Sequence, residues 1–482
     1  MPTEDILIKV SPQETQIAVV SQGSLQEIYI ERNLSQGLVG NIFIGKVSRV
    51  LPGMQSAFID IGLEKTGFLH VGDVYQSMNG NNHLPIEKVL YAGQYILVQV
   101  LKDPMGNKGA RLSTYISIVG RNLVYLPTEK NSIGISQKII DNTEREGLRT
   151  KLESILPKNI DGTFILRTAA FNAVEEDFSQ DIFYLTQIWE NIASIHKTSV
   201  KLIYQELPIA FKVCRDTKNI DSIKIDNSQY FAKLKEFLAK YIPHMQNKLY
   251  LYTEARDIFS LYNVDSEIEK SLHRRVELKS GGFLIIDQTE AMVTIDVNTG
   301  AYIGKTSFAD TVLKINIEAA HAIARQLRLR NLGGIVIIDF IDMNNEEHQQ
   351  IVLSNLNQAL RYDRAKNNVY GFTSLGLVEM TRKRTRDSVA KTLCEPCKLC
   401  LGTGLAKTTQ TICYDIMHEI LRQSQQFQPK AFKIVAHPSL IERFLQEEKT
   451  YLEELKQIIN KDISLHSQNF AGIDMYDIIL IN

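Results

Sequence analysis

Two short runs, AMVTIDV around Asp296 and GIVIIDF around Asp339, constrain this chain more than any other feature. Each is β-branched and apolar, as a strand buried on at least one face must be, and each carries an aspartate at its end. Between them lies a helix-like segment, about Phe308–Arg330, followed by a Gly333–Gly334 stop signal. A second helix, about Glu346–Ala365, comes next, and GGFLIID upstream reads as one more strand behind the turn-like Gln288–Glu290. Strand, helix, strand, helix in that order demands a parallel βαβ unit inside an α/β domain.

In such a unit both strands run the same way, so Asp296 and Asp339 reach one edge of the sheet, the edge where open α/β sheets take ligands. Two carboxylates brought together repel unless a proton or a cation sits between them. Asn298 lies two residues beyond Asp296 and shares its face of the strand. Two carboxylates and an amide oxygen form a hard, oxygen-only set suited to Mg²⁺, which keeps several waters and takes one or two carboxylates. Such a cation activates water and stabilises the charge that builds on a phosphodiester. The alternative is that these aspartates only cap turns, as strand-end Asp often does. Asp287 and Asp342 are weaker candidates of the same kind.

Charge and cysteine usage narrow the class. The 482 residues carry 54 Lys+Arg against 55 Asp+Glu, a net charge of −1, with 44% hydrophobic residues. This excludes disordered and fibrous chains and argues against a uniformly basic nucleic-acid coat, so any nucleic-acid function must rest on local patches. The opening MPTEDILIKVSPQET has no signal-peptide core, and no apolar run reaches the roughly 18 residues of a membrane span. A cytoplasmic, reducing compartment is expected. Of five cysteines, Cys394, Cys397 and Cys400 crowd into CEPCKLCLGTG, a zinc-knuckle half with two glycines behind it. Structural zinc takes four ligands, so either two chains each donate Cys397 and Cys400 to one zinc, making a dimer, or the motif is a redox CxxC. Cys214 and Cys413 stand apart and read as buried thiols.

Elsewhere, residues 1–38 alternate apolar and polar like antiparallel strands, and GNIFIGKVSRVLPGMQSAFIDIGLEKTGFLHV spaces short strands with glycine, as small closed barrels do. Phe58 and Phe68 in that barrel, with Lys46, Arg49, Lys65 and His70 nearby, are either stacking platforms for unpaired bases or core residues. A helix is expected near Asp141–Leu156, and a mainly helical stretch from 219 to 279. Two basic clusters, Arg325/Arg328/Arg330 and Arg382/Lys383/Arg384/Arg386, are either RNA contacts or solvated faces.

The stretches IERNLSQGLVGNIFIGKVSRVLPGMQSAFIDIG, KDPMGNKGARL, VELKSGGFLIIDQTEAM, TIDVNTG, EAAHAIARQLRLRNLGGIVIIDFIDMNNE, LGLVEMTRKRTR and CEPCKLCLGTG together resemble the ribonuclease E/G family, and within it the G branch. The resemblance covers nearly the whole chain. It implies a multidomain α/β protein: a ribonuclease H-like fold split over 1–38 and 216–279, an inserted S1 (OB-fold) β-barrel at 39–115, and a 5′-sensor region at 116–215. A deoxyribonuclease-I-like catalytic domain at 280–391, a zinc link at 392–405 and a small α/β C-terminal domain at 406–482 complete it. Carried over by motif, the catalytic residues are Asp296, Asp339 and Asn298, with Mg²⁺ on Asp296 and Asp339. Zn²⁺ falls on Cys397 and Cys400, with Cys394 accessory. A 5′-monophosphate pocket falls on Arg167 and Thr168, supported by Gly120 and Val124, although nothing else in the sequence marks Arg167 out. RNA contacts fall on Phe58, Phe68, Lys108 and Lys366, where ribonuclease E-like sequences carry Arg and Lys keeps the charge without the bidentate fork. The implied activity is Mg²⁺-dependent endonucleolytic cleavage of single-stranded, A/U-rich RNA with 5′-monophosphate preference, leaving 5′-phosphate and 3′-hydroxyl ends. The implied substrates are the 16S ribosomal RNA precursor, at its 5′ end, and messenger RNA. The implied assembly is a zinc-linked homodimer, possibly a dimer of dimers, without the long scaffold tail that recruits degradation partners.

Overall fold

The computed structural model describes residues 3–481 apart from 34–36, 76–83, 105–107, 130, 137–138, 140–141, 158–160, 169, 171–172, 218, 301–307, 398–399, 401 and 471. The chain divides into two units, Met1–Thr392 and Leu393–Asn482.

Among the described residues the first unit holds four sheets. The strands Glu4–Val10, Glu14–Ser21 and Ser24–Arg32 are antiparallel neighbours, as their alternation requires. Glu4–Val10 also pairs in parallel with Ile220–Ile225, which in turn pairs with Leu249–Leu251. The 219–279 stretch is mainly helical, as expected, but it also carries short strands that the sequence reading did not separate, Arg275–Glu277 among them. These strands are short, and the helices Ser228–Tyr241 and Val264–Leu272 around them dominate the periodicity.

The second sheet closes into a five-stranded barrel: Ile42–Leu51, Ser56–Asp60, Gly67–His70, Arg111–Ser113 and Tyr95–Lys102, which pairs back to Ile42–Leu51. Lys201–Tyr204 adds to its outside on Ile42–Leu51. Closure brings strands so near that a Cβ on Gly67 would stand 2.5 Å from Leu112 Cδ1, which is why glycine sits inside a strand there. A third sheet, Ser132–Ile135, Thr163–Leu166, Leu123–Leu126 and Ile118–Val119, packs on the expected helix, observed at Asn142–Ile155. It also packs on Glu175–Ala193, a helix missed in the sequence although Phe178, Ile182 and Leu185 recur at helical spacing.

The fourth sheet has the order Arg275–Glu277, Phe283–Gln288, Met292–Asn298, Gly334–Asp339, Leu377–Arg382, Asn367–Phe372. Met292–Asn298 and Gly334–Asp339 are parallel, joined by the helix Phe308–Leu329, as the βαβ reading requires. That helix stops one step before the glycines. Asn331 takes a left-handed φ of 49°, and Leu332 N–H reaches back to Leu327 O at 3.0 Å, so asparagine supplies the C-terminal turn. The following helix runs Glu346–Leu360, five residues shorter than its apolar pattern suggested. Ile315, Ala319, Ile323, Val352 and Leu356 of the two helices cover one face of the sheet, against Val293, Ile295, Val336, Ile338, Val378 and Met380. Full burial of each such side chain stabilises by about 1.5–3 kcal/mol.

The second unit has a three-stranded sheet, Asp462–Ser467, Ala431–Ala436 and Tyr476–Ile481, packed on Thr409–Gln426, Pro438–Gln446 and Lys449–Ile459. No helix among the described residues is long and apolar enough to cross a membrane.

Candidate active site

Strand register sets the acidic pair. Asp296 and Asp339 are direct partners across the parallel ladder, where strands lie about 4.8 Å apart. Alternation turns Val293, Ile295, Val297, Val336 and Ile338 into the helix layer, so Thr294, Asp296, Ile335 and Asp339 face the open side of the sheet. Partial burial, then the charges of Asp296 and Asp342, hold the Asp339 carboxyl above its ordinary value. Asn298 Nδ2 donates to Asp296 Oδ2 at 2.8 Å and fixes that carboxylate. A turn-capping aspartate in this protein looks different: Asp257 accepts the backbone N–H groups of Phe259 and Ser260 at 2.9 and 3.1 Å. Among the described residues, no backbone N–H acts on Asp339 in that way. Asp287 is committed to Arg274, whose Nη2 donates to its Oδ2 at 2.6 Å.

Repelling carboxylates with an amide beside them fit a small hard cation. Among the described residues no three His, Cys, Asp or Glu side chains converge into a cage, so a cation at this pair would keep much of its water, as Mg²⁺ does.

The predicted phosphate pocket is built on the third sheet. Arg167 follows the strand Thr163–Leu166 and its N–H donates to Asn122 O at 2.8 Å. Its Nη1 donates to Gly120 O, to Arg121 O at 3.1 Å and to Asp216 Oδ1 at 2.9 Å. Burial raises the Asp216 carboxyl, but Arg215 and Arg167 outweigh it and bring the group down to about 2. The turn through Gly120 is shaped by Asp181, a buried carboxylate accepting the N–H groups of Arg121, Asn122 and Leu123 at 3.2, 2.5 and 2.9 Å. A Cβ at Gly120 would lie 2.9 Å from Asp181 Oδ2, so the turn requires glycine. Val124 is half-buried on the adjoining strand, and Thr168 is exposed beside Arg167. Sequence reasoning missed Asp181 and Asp216. They lie about 60 and 49 residues from the groups they hold, and no local pattern marks them.

On the barrel, Phe58 and Phe68 are cross-strand partners with ring centroids 6.1 Å apart, edge to face. Neither belongs to the barrel core, which Val47, Ala57, Ile59, Leu69 and Leu112 fill. Arg49 pairs with Phe58, and Arg111 with Phe68, so cations flank the rings. Lys108 is exposed on the same segment as Arg111.

The strand Leu377–Arg382 ends inside the basic cluster and splits it. Arg382 is buried against Asp363, with Nε–Oδ2 at 2.6 Å and Nη2–Oδ1 at 3.0 Å. Arg386 stacks on Tyr29 at 3.8 Å. Lys383 and Arg384 point out and, with Lys366, Asn368 and Thr381, line a groove of about 470 Å³ at the foot of the open face. The helix cluster is not a solvated face, because its guanidinium groups turn inward onto the protein. Arg325 bonds Leu25 O and Glu267, Arg328 bonds Gln26, and Arg330 is buried.

In the second unit Cys394 and Cys397 are exposed and Cys400 is half-exposed, on a turn where Gly402 and Gly404 take positive φ of 90° and 72°. Thiols on such a turn fit a half-site that a second chain completes. Cys214 and Cys413 are buried.

Residues 117–385 match the model of the Ribonuclease E/G family. The chain is similar to Ribonuclease G of Salmonella typhimurium (strain SL1344), 45% identical over 491 residues that span 99% of this chain and all of that protein. It is equally similar to Ribonuclease G of Escherichia coli (strain K12), 45% identical over 492 residues with the same coverage. Ribonuclease E of Haemophilus influenzae (strain ATCC 51907 / DSM 11121 / KW20 / Rd) is 33% identical over 94% of this chain but 49% of its own length.

Proposed function

The chain belongs to the ribonuclease E/G family and is an endoribonuclease, and from that premise we propose that it uses Mg²⁺ on Asp296 and Asp339 to cut single-stranded, A/U-rich RNA, favouring 5′-monophosphorylated ends. One observation carries this reading above the rest: Asp296 and Asp339 are register partners on the open face, with the Asp339 carboxyl held up by partial burial and then by its acidic neighbours.

The chain's own groups divide the work. Asp296 and Asp339 bind the cation, and Asn298 keeps Asp296 from rotating. When bound, the cation supplies Lewis acidity and positive charge at the scissile phosphodiester. Phe58 and Phe68 stack unpaired bases, Lys108 meets the backbone beside them, and Lys366, Lys383 and Arg384 hold phosphates at the foot of the sheet. Arg167, with Thr168, receives a 5′-terminal phosphate in a pocket shaped by Gly120 and Val124, since a guanidinium beside a hydroxyl suits a dianion. Cleavage leaves a 5′-phosphate and a 3′-hydroxyl. The cellular setting that fits is the cytoplasm, with 16S ribosomal RNA 5′-end maturation and messenger RNA turnover as the roles.

The domain layout goes with this reading: ribonuclease H-like segments at 1–38 and 216–279, an S1 barrel at 39–115, a 5′-sensor region at 116–215, a deoxyribonuclease-I-like domain at 280–391, a zinc link at 392–405 and a small domain at 406–482. Cys397 and Cys400 of two copies share one Zn²⁺ in a homodimer, which can pair again into a dimer of dimers. Replacing both by serine is expected to release zinc and halve the sedimenting mass, and an unchanged mass would exclude the shared site.

The direct test of the activity is a labelled, single-stranded RNA oligonucleotide with a 5′-monophosphate, incubated with Mg²⁺ or with EDTA. Internal cleavage with Mg²⁺ alone is expected. Cleavage that persists in EDTA would overturn the metal assignment.

A further inference from the structure

The phosphate pocket and the catalytic sheet are built on different sheets, yet one short path of bonds joins them. The helix Ile209–Asp216 ends at the pocket: Asp216 holds Arg167 at 2.9 Å, and Arg215 Nη1 donates to Val119 O at 2.7 Å, one residue before Gly120. Thr217, almost fully buried, caps that helix, its N–H and its Oγ1 both donating to Val213 O. The same Oγ1 accepts Nη2 of Arg364 at 2.7 Å. Arg364 belongs to the segment between the helix Glu346–Leu360 and the strand Asn367–Phe372, the edge strand of the catalytic sheet.

Beside Arg364, Asp363 grips Arg382 in a pair whose side chains are 2% and 5% exposed. Arg382 in turn donates from Nη1 to Leu332 O at 2.6 Å. It thus clamps two strands at once, because Leu332 leads into Gly334–Asp339 and Arg382 closes Leu377–Arg382, whose first residue pairs with Asp339.

We propose that Arg364 is a positioning residue that couples occupancy of the Arg167 pocket to the catalytic strands, through Thr217 on one side and the Asp363–Arg382 clamp on the other. It rests on the reading of Arg167 as a terminal-phosphate ligand. The physical reason lies in Asp216. A phosphate arriving at Arg167 brings close to two negative charges and competes with Asp216 for the same guanidinium. Asp216 then leans on Arg215, whose Nε donates to its Oδ1 at 3.0 Å, and the load falls on the end of the helix that Thr217 caps and Arg364 holds. Glu27, Tyr29 and Glu4 also face Arg364 from the strands Glu4–Val10 and Ser24–Arg32. A bond network that both sites bias is what coupling needs, and a coupling of 1–3 kcal/mol corresponds to roughly 5–150-fold.

The test compares kcat and KM for two oligonucleotides of one sequence, with a 5′-monophosphate or a 5′-hydroxyl, in the full-length wild type and in Thr217→Val, Thr217→Ser and Arg364→Gln. The wild type is expected to prefer the monophosphate. In Thr217→Val and Arg364→Gln that preference falls at least about fivefold, through kcat on the monophosphate substrate, with its KM and the 5′-hydroxyl rate unchanged. Thr217→Ser, which keeps the hydroxyl, retains the preference. If either variant fails to fold, Arg364→Lys, which keeps the charge and loses the fork, is expected to lose the preference in its place. A wild type without preference would sink the phosphate reading itself. A wild type with preference, and variants that keep it or lose both substrates in parallel, would overturn the coupling alone.

Discussion

The acidic pair and the phosphate pocket are held in opposite ways. Asp296 and Asp339 are placed by backbone register: hydrogen-bonded strands set the spacing and alternation sets the face, with the Asn298 amide as side-chain support. Arg167 is placed by bonds of its own side chain, to the Asp216 carboxylate and to the carbonyls of a turn that the Asp181 carboxylate shapes. A site held by register can store repulsion without losing its shape. A site held by ion pairs loses shape and stability together when one partner goes.

Substitutions can break that contrast, and the largest effect belongs to the register-held site. Asp339→Asn is expected to lower kcat by roughly a thousandfold, several kcal/mol of transition-state stabilisation. Its melting temperature stays level or rises, because a repelling charge has gone. A melting temperature that fell with activity would show the pair to be structural.

Asp216→Asn should do the reverse, costing about 2 kcal/mol of stability at neutral pH, since its carboxyl falls from 3.8 to about 2 on folding. A depressed carboxyl stabilises above its ordinary value and loses that contribution as pH falls toward the folded one. Denaturant titrations of wild type and variant should therefore stay separated above about pH 4 and converge between about pH 4 and 2. Parallel curves throughout would contradict the ion-pair account.

Phe58→Ala is smaller. Lost stacking of about 1–3 kcal/mol raises KM about tenfold or more, with little change in stability because the ring lies outside the barrel core. Smallest is Lys383→Ala, which should reduce the slope of log affinity against log salt by about 0.7 and leave cleavage position unchanged.

The same contrast decides what could be read from sequence. Asp296, Asn298 and Asp339 were legible because period-two alternation and a strand–helix–strand order fix both face and edge. The barrel was legible from its glycines, though only the structure could say that Phe58 and Phe68 lie outside its core. Arg167 was found only through family resemblance, because the partner that defines it is 49 residues away. The basic clusters were visible as charge but not as direction. The strand Leu377–Arg382 ends between Arg382 on Asp363 and the outward Lys383, and packing against Ser24–Arg32 drew Arg325 and Arg328 inward.

The central claim is that two register-paired carboxylates on the open face hold a hard divalent cation. Titration of the full-length protein with Mn²⁺, followed by electron paramagnetic resonance, tests it without relying on activity. The wild type is expected to bind Mn²⁺ in competition with Mg²⁺, and Asp296→Asn and Asp339→Asn each to weaken that binding at least about tenfold, or 1.4 kcal/mol. Binding of wild-type strength in both variants would place the cation elsewhere and contradict the account.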